Sequence, residues 1–134
     1  MNYDTCSLGS ALVDVTFKID DTFSKELENK GIQKGGMTLI EKEDQNSFIK
    51  ALESEGKQFQ KACGGSSTNS IVAASLFGSN CFMTCIVGDD DNGKFYLEDL
   101  TSNGVSHSTK LTQSNMASGQ CLVMISYDAE RTMC

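Results

Sequence analysis

The sequence has few basic residues, a single histidine and no long apolar run. It carries 11 basic against 18 acidic side chains, a formal net charge of −7. Nothing in it resembles a basic face for nucleic acid or an anionic membrane surface. No apolar run is long enough to span a bilayer, and the N-terminal MNYDTCSLGS lacks the regions of a secretory signal. The single histidine, His107, has no ligand partner nearby in the sequence, so we expect no metal site of the zinc type.

The cysteines allow two interpretations, disulfides or free thiols. There is no CxxC pair, and no secretory signal accompanies them, so free buried thiols in a reduced, cytoplasmic protein are favoured. Strand alternation places Cys81 and Cys85 on one face. The six cysteines stand at positions 6, 63, 81, 85, 121 and 134.

The rest of the pattern alternates strands with helices and contains no proline and no internal repeat. Runs rich in β-branched residues predict strands, and apolar residues at helical spacing predict helices. This order predicts an α/β fold with a largely parallel sheet. Extra strands near 13–19, 37–40, 58–63 and 119–126 predict a second, smaller sheet. The other predicted strands are 5–9, 80–87, 105–110 and one beginning at 130, and the predicted helices are 21–29, 41–55, 66–77 and 92–103.

The acidic stretch VGDDDNGKF, residues 87–95, raises the question of a phosphate or metal site. It matches most of a P-loop, but Phe95 stands where a magnesium-binding Ser or Thr is required. Its three aspartates would also repel a phosphate. A calcium loop fails because Gly88 falls where the first aspartate ligand belongs. A turn with acidic residues at a helix N-terminus is therefore favoured.

A second candidate is the segment CGGSSTNS, residues 63–70. Gly64 and Gly65 leave a strand and enter a helix, so a ligand can approach the backbone and the free N–H groups of the helix start. Asn69 lies about one turn into that helix, where it can bond a hydroxyl. An ordinary capping turn is the alternative, and the residues alone do not decide between the two.

The spacing of these residues resembles the first signature of the ribokinase family, also called the pfkB carbohydrate kinases. The signature has paired glycines, an asparagine and two further glycines, which correspond here to Gly64, Gly65, Asn69, Gly78 and Gly88. The segments LGSALVD, KGGMTLI, VGDDDNGKFYLEDLTSNGV and SGQCLVMISYDAERTM also resemble family segments, and KGGMTLI is similar to the adenosine kinase-like branch. Ser10, Ser67 and Ile71 depart from the pattern.

The resemblance implies a ribokinase-like doubly wound sheet with a small β-sheet lid, and a site for a sugar or nucleoside. Asp14 would accept hydrogen bonds from substrate hydroxyls, and Asn69 would bind the same substrate. Met37 and Cys121 would line the pocket from the lid, and Arg131 would approach the transferring phosphate. Gly64 and Gly65 would let the sugar lie against the backbone. Without the resemblance, Asp14 is an exposed strand-end carboxylate and Arg131 forms a surface ion pair with Glu130 or Asp128.

The resemblance also implies what lies outside this sequence. Residues 1–134 correspond to the N-terminal, substrate-binding part, whereas the general base, an Asp, is expected C-terminal of Cys134. The main ATP and Mg²⁺ motifs are expected there too, so we expect the chain alone to transfer no phosphate to a hydroxymethyl group. The alternative is a non-catalytic binding module, a product of a truncated gene, or a homodimer that pairs through the lid sheet.

Overall fold

The computed structural model describes residues 2–110 and 116–134, which form two compact units. Unit 1 consists of Met1–Val13 and Ala62–Gln120, and unit 2 consists of Asp14–Lys61 and Cys121–Cys134. The chain therefore passes between the units three times. The elements, in chain order, are β1 (Thr5–Leu8), β2 (Leu12–Lys18), α1 (Asp21–Asn29), α2 (Lys42–Ser54), β3 (Phe59–Gly64), α3 (Ser66–Leu76), β4 (Cys81–Thr84), α4 (Asp91–Ser102), β5 (Val105–His107), β6 (Gly119–Ile125) and β7 (Arg131–Met133).

Unit 1 is built on a parallel sheet with the strand order β1-β4-β5. Helix α3 packs on β1 and β4, and α4 packs on β5. Alternation along β4 buries Cys81 and Met83 completely, while Thr84 is exposed. Helix α3 precedes β4, and α4 connects β4 to β5, so helices supply the crossover connections that parallel strands require.

Unit 2 contains most of a second sheet, with the order β3-β2-β6-β7. Strands β6 and β7 are antiparallel, with Val123 opposite Met133. Val15 and Phe17 of β2 are buried, as are Leu122 and Met124 of β6. The apolar faces of α1 and α2 are also buried in this unit, through Phe23, Leu27, Phe48 and Leu52. One face of the sheet thus packs into the core of unit 2. The side chains that alternate with these buried residues point to the other face of the sheet, which we call the open face.

Local signals explain the helix boundaries. The Asp20 carboxylate accepts a hydrogen bond from the N–H of Phe23 and begins α1, the arrangement expected of an N-cap aspartate. Gly78 and Gly104 follow α3 and α4 with φ of +94° and +75°, as residues that end helices in the left-handed conformation do. The predicted boundaries of α1 are confirmed at both ends.

One predicted strand is wrong. Residues 37–40 form no strand, and only Met37 makes an isolated bridge, to Met133. The N–H of Met133 donates to the Gly36 carbonyl and the N–H of Thr38 donates to the Met133 carbonyl, both at 2.9 Å, so the segment pairs with β7 at a single residue. The strand predicted over 80–87 is also shorter, because its neighbour β1 ends at Leu8, opposite Thr84.

Candidate functional site

The glycine pair ahead of α3 brings two backbone segments of unit 1 together. Gly65 is the N-cap of α3 with φ of +95°, and a Cβ there would lie 3.2 Å from the carbonyl oxygen of Ser10. Only glycine combines this conformation with this approach at little cost. The N–H of Cys63 donates to the Asp99 carboxylate at 2.7 Å, which holds the strand in place just before the glycines. Gly64 is buried.

Asn69 and Ser67 lie in the first turn of α3. The N–H of Asn69 donates to the Gly65 carbonyl at 2.9 Å, and its side chain is exposed. Ser67 Oγ donates to the Leu8 carbonyl at 3.2 Å, and a Cβ on Gly9 would collide with the Ser67 side chain. The serine that departs from the family pattern therefore bridges α3 to the end of β1, across a glycine.

A cavity of about 630 Å³ lies in unit 1 beyond the carboxyl ends of β1 and β4. Its wall consists of three segments, Leu8–Leu12, Thr84–Gly88 and Met116–Gly119. In α/β proteins with parallel strands, ligands bind in crevices outside this end of the strands. The position of the cavity, rather than its size, makes it the candidate ligand site of unit 1.

The predicted charged residues of unit 2 lie on the open face of its sheet. Asp14 alternates with the buried Val13 and Val15 and is half-buried. Arg131 of β7 lies opposite Ile125 of β6 and is exposed. Cys121 precedes the buried Leu122 on β6. Three neighbouring strands, β2, β6 and β7, therefore bring Asp14, Cys121 and Arg131 to one face.

The electrostatics of these groups agree with their closeness. Burial raises the pKa of the Asp14 carboxyl above its usual 3.8, and the positive charge of Arg131 opposes that rise. Burial also raises the pKa of the Cys121 thiol, with a smaller contribution from the negative charge of Asp14. Cys121 is therefore a neutral thiol at neutral pH, suited to packing rather than to attack on an electrophile.

Met37 joins this face at its edge through the bridge to Met133. Its side chain is 79% exposed, which leaves it available to a ligand. The surface ion pair considered for Arg131 does not use Asp128, because Asp128 pairs with Lys34 at 2.6 Å.

The acidic turn serves as a helix cap. Asp90 is the N-cap of α4, and its Oδ1 accepts the N–H of Gly93 at 2.7 Å. The turn interpretation of residues 87–95 is therefore confirmed. Across residues 2–110 and 116–134, no group of three or more His, Cys, Asp or Glu side chains is placed to hold a metal ion.

The cysteines are free thiols, as expected. Cys63, Cys81 and Cys85 are buried, whereas Cys6 is exposed and Cys121 and Cys134 are half-buried. Among the helices of the described residues, none combines the length and the apolar character of a membrane-spanning segment.

The predicted site residues fall into two groups. Gly64, Gly65 and Asn69 lie in unit 1, while Asp14, Met37, Cys121 and Arg131 lie in unit 2. Within each unit the members lie close to one another, and the expectation that Asp14 and Asn69 bind one substrate stays a prediction. The hydrogen bond from the Ser118 N–H to the Asp90 carboxylate was not predicted from the sequence. The glycine at position 88 was the available signal for a close approach there.

Comparisons with known proteins agree with this arrangement. The profile of the pfkB family carbohydrate kinases matches residues 32–134. The ribokinase of Bacillus subtilis (strain 168) is 44% identical over 50 residues, which are 37% of this chain and 17% of that protein.

Two solved structures share the fold over almost the whole chain. The adenosine kinase from Sinorhizobium meliloti is 29% identical with a TM-score of 0.78, and 98% of this chain matches 38% of that one. A probable sugar kinase from Rhizobium etli CFN 42 is 26% identical with a TM-score of 0.79, at the same coverage. The chain thus spans well under half the length of these relatives. The fold is the ribokinase-like one of adenosine kinases, and with three quarters of its residues matched, the chain belongs to the pfkB family of carbohydrate kinases.

Proposed function

We propose that this chain is the substrate-binding part of a kinase that transfers the γ-phosphoryl group of ATP to a hydroxymethyl group of a sugar or nucleoside. The family match over residues 32–134 carries this proposal. The names of the similar proteins, a ribokinase and an adenosine kinase, define the two substrate classes to be tested.

The open face of unit 2 supports an acceptor with hydroxyl groups. Asp14 is a half-buried carboxylate, and the positive charge of Arg131 acts on it. A carboxylate in this position accepts hydrogen bonds from two adjacent hydroxyls, and hydrogen bonds to a charged acceptor are the stronger kind. Cys121 and Met37 add apolar surface beside it, which suits the carbon skeleton of a sugar or a base.

The backbone of unit 1 supports the same class of ligand. Gly64 and Gly65 let a flat or cyclic ligand lie directly against the chain. The first N–H groups of α3 have no partner within the helix, which suits them to donate to a ligand. Asn69 places an exposed amide one turn further on, able to donate to or accept from a hydroxyl.

ATP and Mg²⁺ belong to the proposal for the kinase as a whole. The described residues do not fit a magnesium site, since no cluster of candidate ligands is present among them. The acidic turn does not fit a phosphate either, because Asp90 is already used as a helix cap. We therefore derive no catalytic step through the metal or the nucleotide from these residues.

The alternative, a dimerisation module that pairs through the lid sheet, has less support. The apolar face of the unit 2 sheet lies in the same core as α1 and α2 of the same chain. A second copy would therefore meet the open face, with its charged residues, or an edge strand. A dimer of this kind stays a prediction, and sedimentation of the purified chain decides it.

Binding of the acceptor tests the proposed function directly. The 134-residue chain is titrated with adenosine, ribose and fructose by calorimetry and by ligand-observed NMR. We expect one of these acceptors to bind, and Asp14→Asn to weaken it. Failure of all three acceptors to bind the chain would contradict the proposal.

A further inference from the structure

The acidic turn holds the chain segment that leads into β6. Asp90 uses both carboxylate oxygens: Oδ1 caps α4 through Gly93, and Oδ2 accepts the N–H of Ser118 at 2.8 Å. Ser118 Oγ in turn accepts the N–H of Gly88 at 2.9 Å. These bonds join two segments about 28 to 30 residues apart in sequence. We call Gly88, Asp90, Gly93 and Ser118 the β6 clamp.

A helix cap alone does not require the second of these bonds. Asp20 caps α1 in the same way, through the N–H of Phe23, and its other oxygen accepts from the ammonium group of the half-buried Lys57. The second carboxylate oxygen of Asp90 instead accepts a hydrogen bond from a backbone N–H of another segment. Both aspartates cap a helix, but only Asp90 also holds a distant backbone segment, which makes Asp20 a matched control.

Close packing of glycines reinforces the clamp. A Cβ on Gly88 would lie 2.5 Å from the Met116 carbonyl oxygen, and a Cβ on Gly93 would collide with the Gly88 carbonyl. On the other side of the segment, a Cβ on Gly119 would lie 2.8 Å from the Ala11 carbonyl oxygen. The segment 116–119 is thus held between the acidic turn and the start of β2.

The clamped segment is one wall of the unit 1 cavity. Gly88 and residues 116–119 both line this cavity of about 630 Å³. We propose that Asp90 is a positioning residue for the acceptor site, because it fixes residues 116–119 and thereby the shape of the cavity. The inference rests on the proposed function only in naming the ligand as an acceptor. The clamp itself is independent of it.

Two substitutions separate the cap from the clamp. Asp90→Ser keeps a good N-cap residue but is too short to reach Ser118, and Asp90→Asn keeps one acceptor oxygen while its NH₂ group cannot accept. Both variants should leave the amides of α4 protected from hydrogen exchange and should speed the exchange of residues 116–122. Loss of a hydrogen bond to a charged group corresponds to roughly 10- to 150-fold faster exchange of the affected amides.

Hydrogen exchange by mass spectrometry on the 134-residue chain measures this effect without any ligand. Faster exchange confined to residues 116–122 and the Gly88 amide supports the clamp. Unchanged exchange there, or equal acceleration across β4 and α4, overturns it. Asp20→Ser is the control and should leave 116–122 as in the parent chain. Gly88→Ala is the second variant, and because it displaces Met116 by contact alone it should loosen the same segment.

Adenosine affinity is the second readout. If the chain binds adenosine, Asp90→Asn should weaken binding several-fold, whereas Asp20→Ser should leave it unchanged. Equal affinity in the parent chain and Asp90→Asn, together with loosened residues 116–122, overturns the role in the acceptor site. If no acceptor binds the parent chain, the proposed function fails, and the exchange experiment still decides the clamp.

Discussion

The hydroxyl oxygen of Tyr96 lies 2.7 Å from Oγ1 of Thr68, and both residues are completely buried. Burial raises the pKa of Tyr96 to about 12, and the hydrogen bond to Thr68 opposes that rise. The bond joins α4 to α3, the two helices that begin at the acidic turn and at the glycine pair. A buried polar contact therefore links the helix that follows the glycine pair to the helix that follows the acidic turn.

Removal of this contact should destabilise the chain. Tyr96→Phe leaves the Thr68 hydroxyl without this partner, and an unsatisfied buried hydroxyl costs about 1–3 kcal/mol. The free energy of unfolding from urea denaturation measures the loss. Tyr127→Phe is the control, because that side chain is 85% exposed. Adding Thr68→Val to Tyr96→Phe should cost less than the sum of the single changes, and strict additivity would show that the two hydroxyls do not interact.

The sequence predicted the parts of the fold that depend on local patterns. Helix α1 was predicted at both ends, and the local signal for its end was Gly31, which follows it with φ of +80°. The strand predicted at 37–40 was wrong because a strand needs a partner along several residues, and residues 37–40 do not themselves show where that partner lies. The hydrogen bond between Thr68 and Tyr96 could not be predicted either, because the pattern of each helix alone does not show which residues of the other helix it faces.

The residues of the candidate site were predicted only in part. The resemblance supplied Asp14, Cys121 and Arg131, and sheet geometry then placed them on one face of unit 2. The hydrogen bond of Asp90 to the Ser118 N–H was not predictable. Any of the three aspartates in the turn could have been the one that bonds a distant segment, and the sequence does not show where Ser118 lies.

The ionised form of Asp14 should reduce the stability of the ligand-free chain. Burial raises the pKa of Asp14 in the folded state above 3.8. The stability that the protonated carboxyl contributes is therefore fully present below the pKa of the unfolded state, and it is lost as the pH rises through the pKa of the folded state. Asp14→Asn should therefore raise Tm at pH 7, and the gain should vanish near pH 3. Scanning calorimetry at both values measures it.

The control for Asp14 is Asp89→Asn, which makes the same chemical change at an exposed position. It should give no gain in Tm that depends on pH. For acceptor binding the expected direction reverses, and Asp14→Asn should lose roughly 10- to 150-fold in affinity as a charged hydrogen bond is removed. A variant that gained stability and kept its affinity would place Asp14 outside the acceptor site.

Arg131 should hold the pKa of Asp14 down. Its positive charge opposes the effect of burial on that carboxyl, so Arg131→Gln should raise the Asp14 pKa further. Arg131→Lys keeps the charge and should leave the pKa close to that of the parent chain. Titration of the Asp14 carboxyl carbon by NMR measures all three proteins, and an Asp14 pKa that does not respond to Arg131→Gln would show that the two groups do not interact.

The sheet of unit 1 should cause the isolated chain to associate with itself. Leu8 and Ile86 are each 78% exposed beside the cavity, although parallel sheets are normally covered on both faces and exposed apolar patches favour association. We expect Leu8→Ser combined with Ile86→Ser to shift the 134-residue chain towards monomer in sedimentation equilibrium. Leu39→Ser is the control, because Leu39 is fully exposed but does not line the cavity. Equal self-association of the double variant and the parent chain would assign the association to another surface.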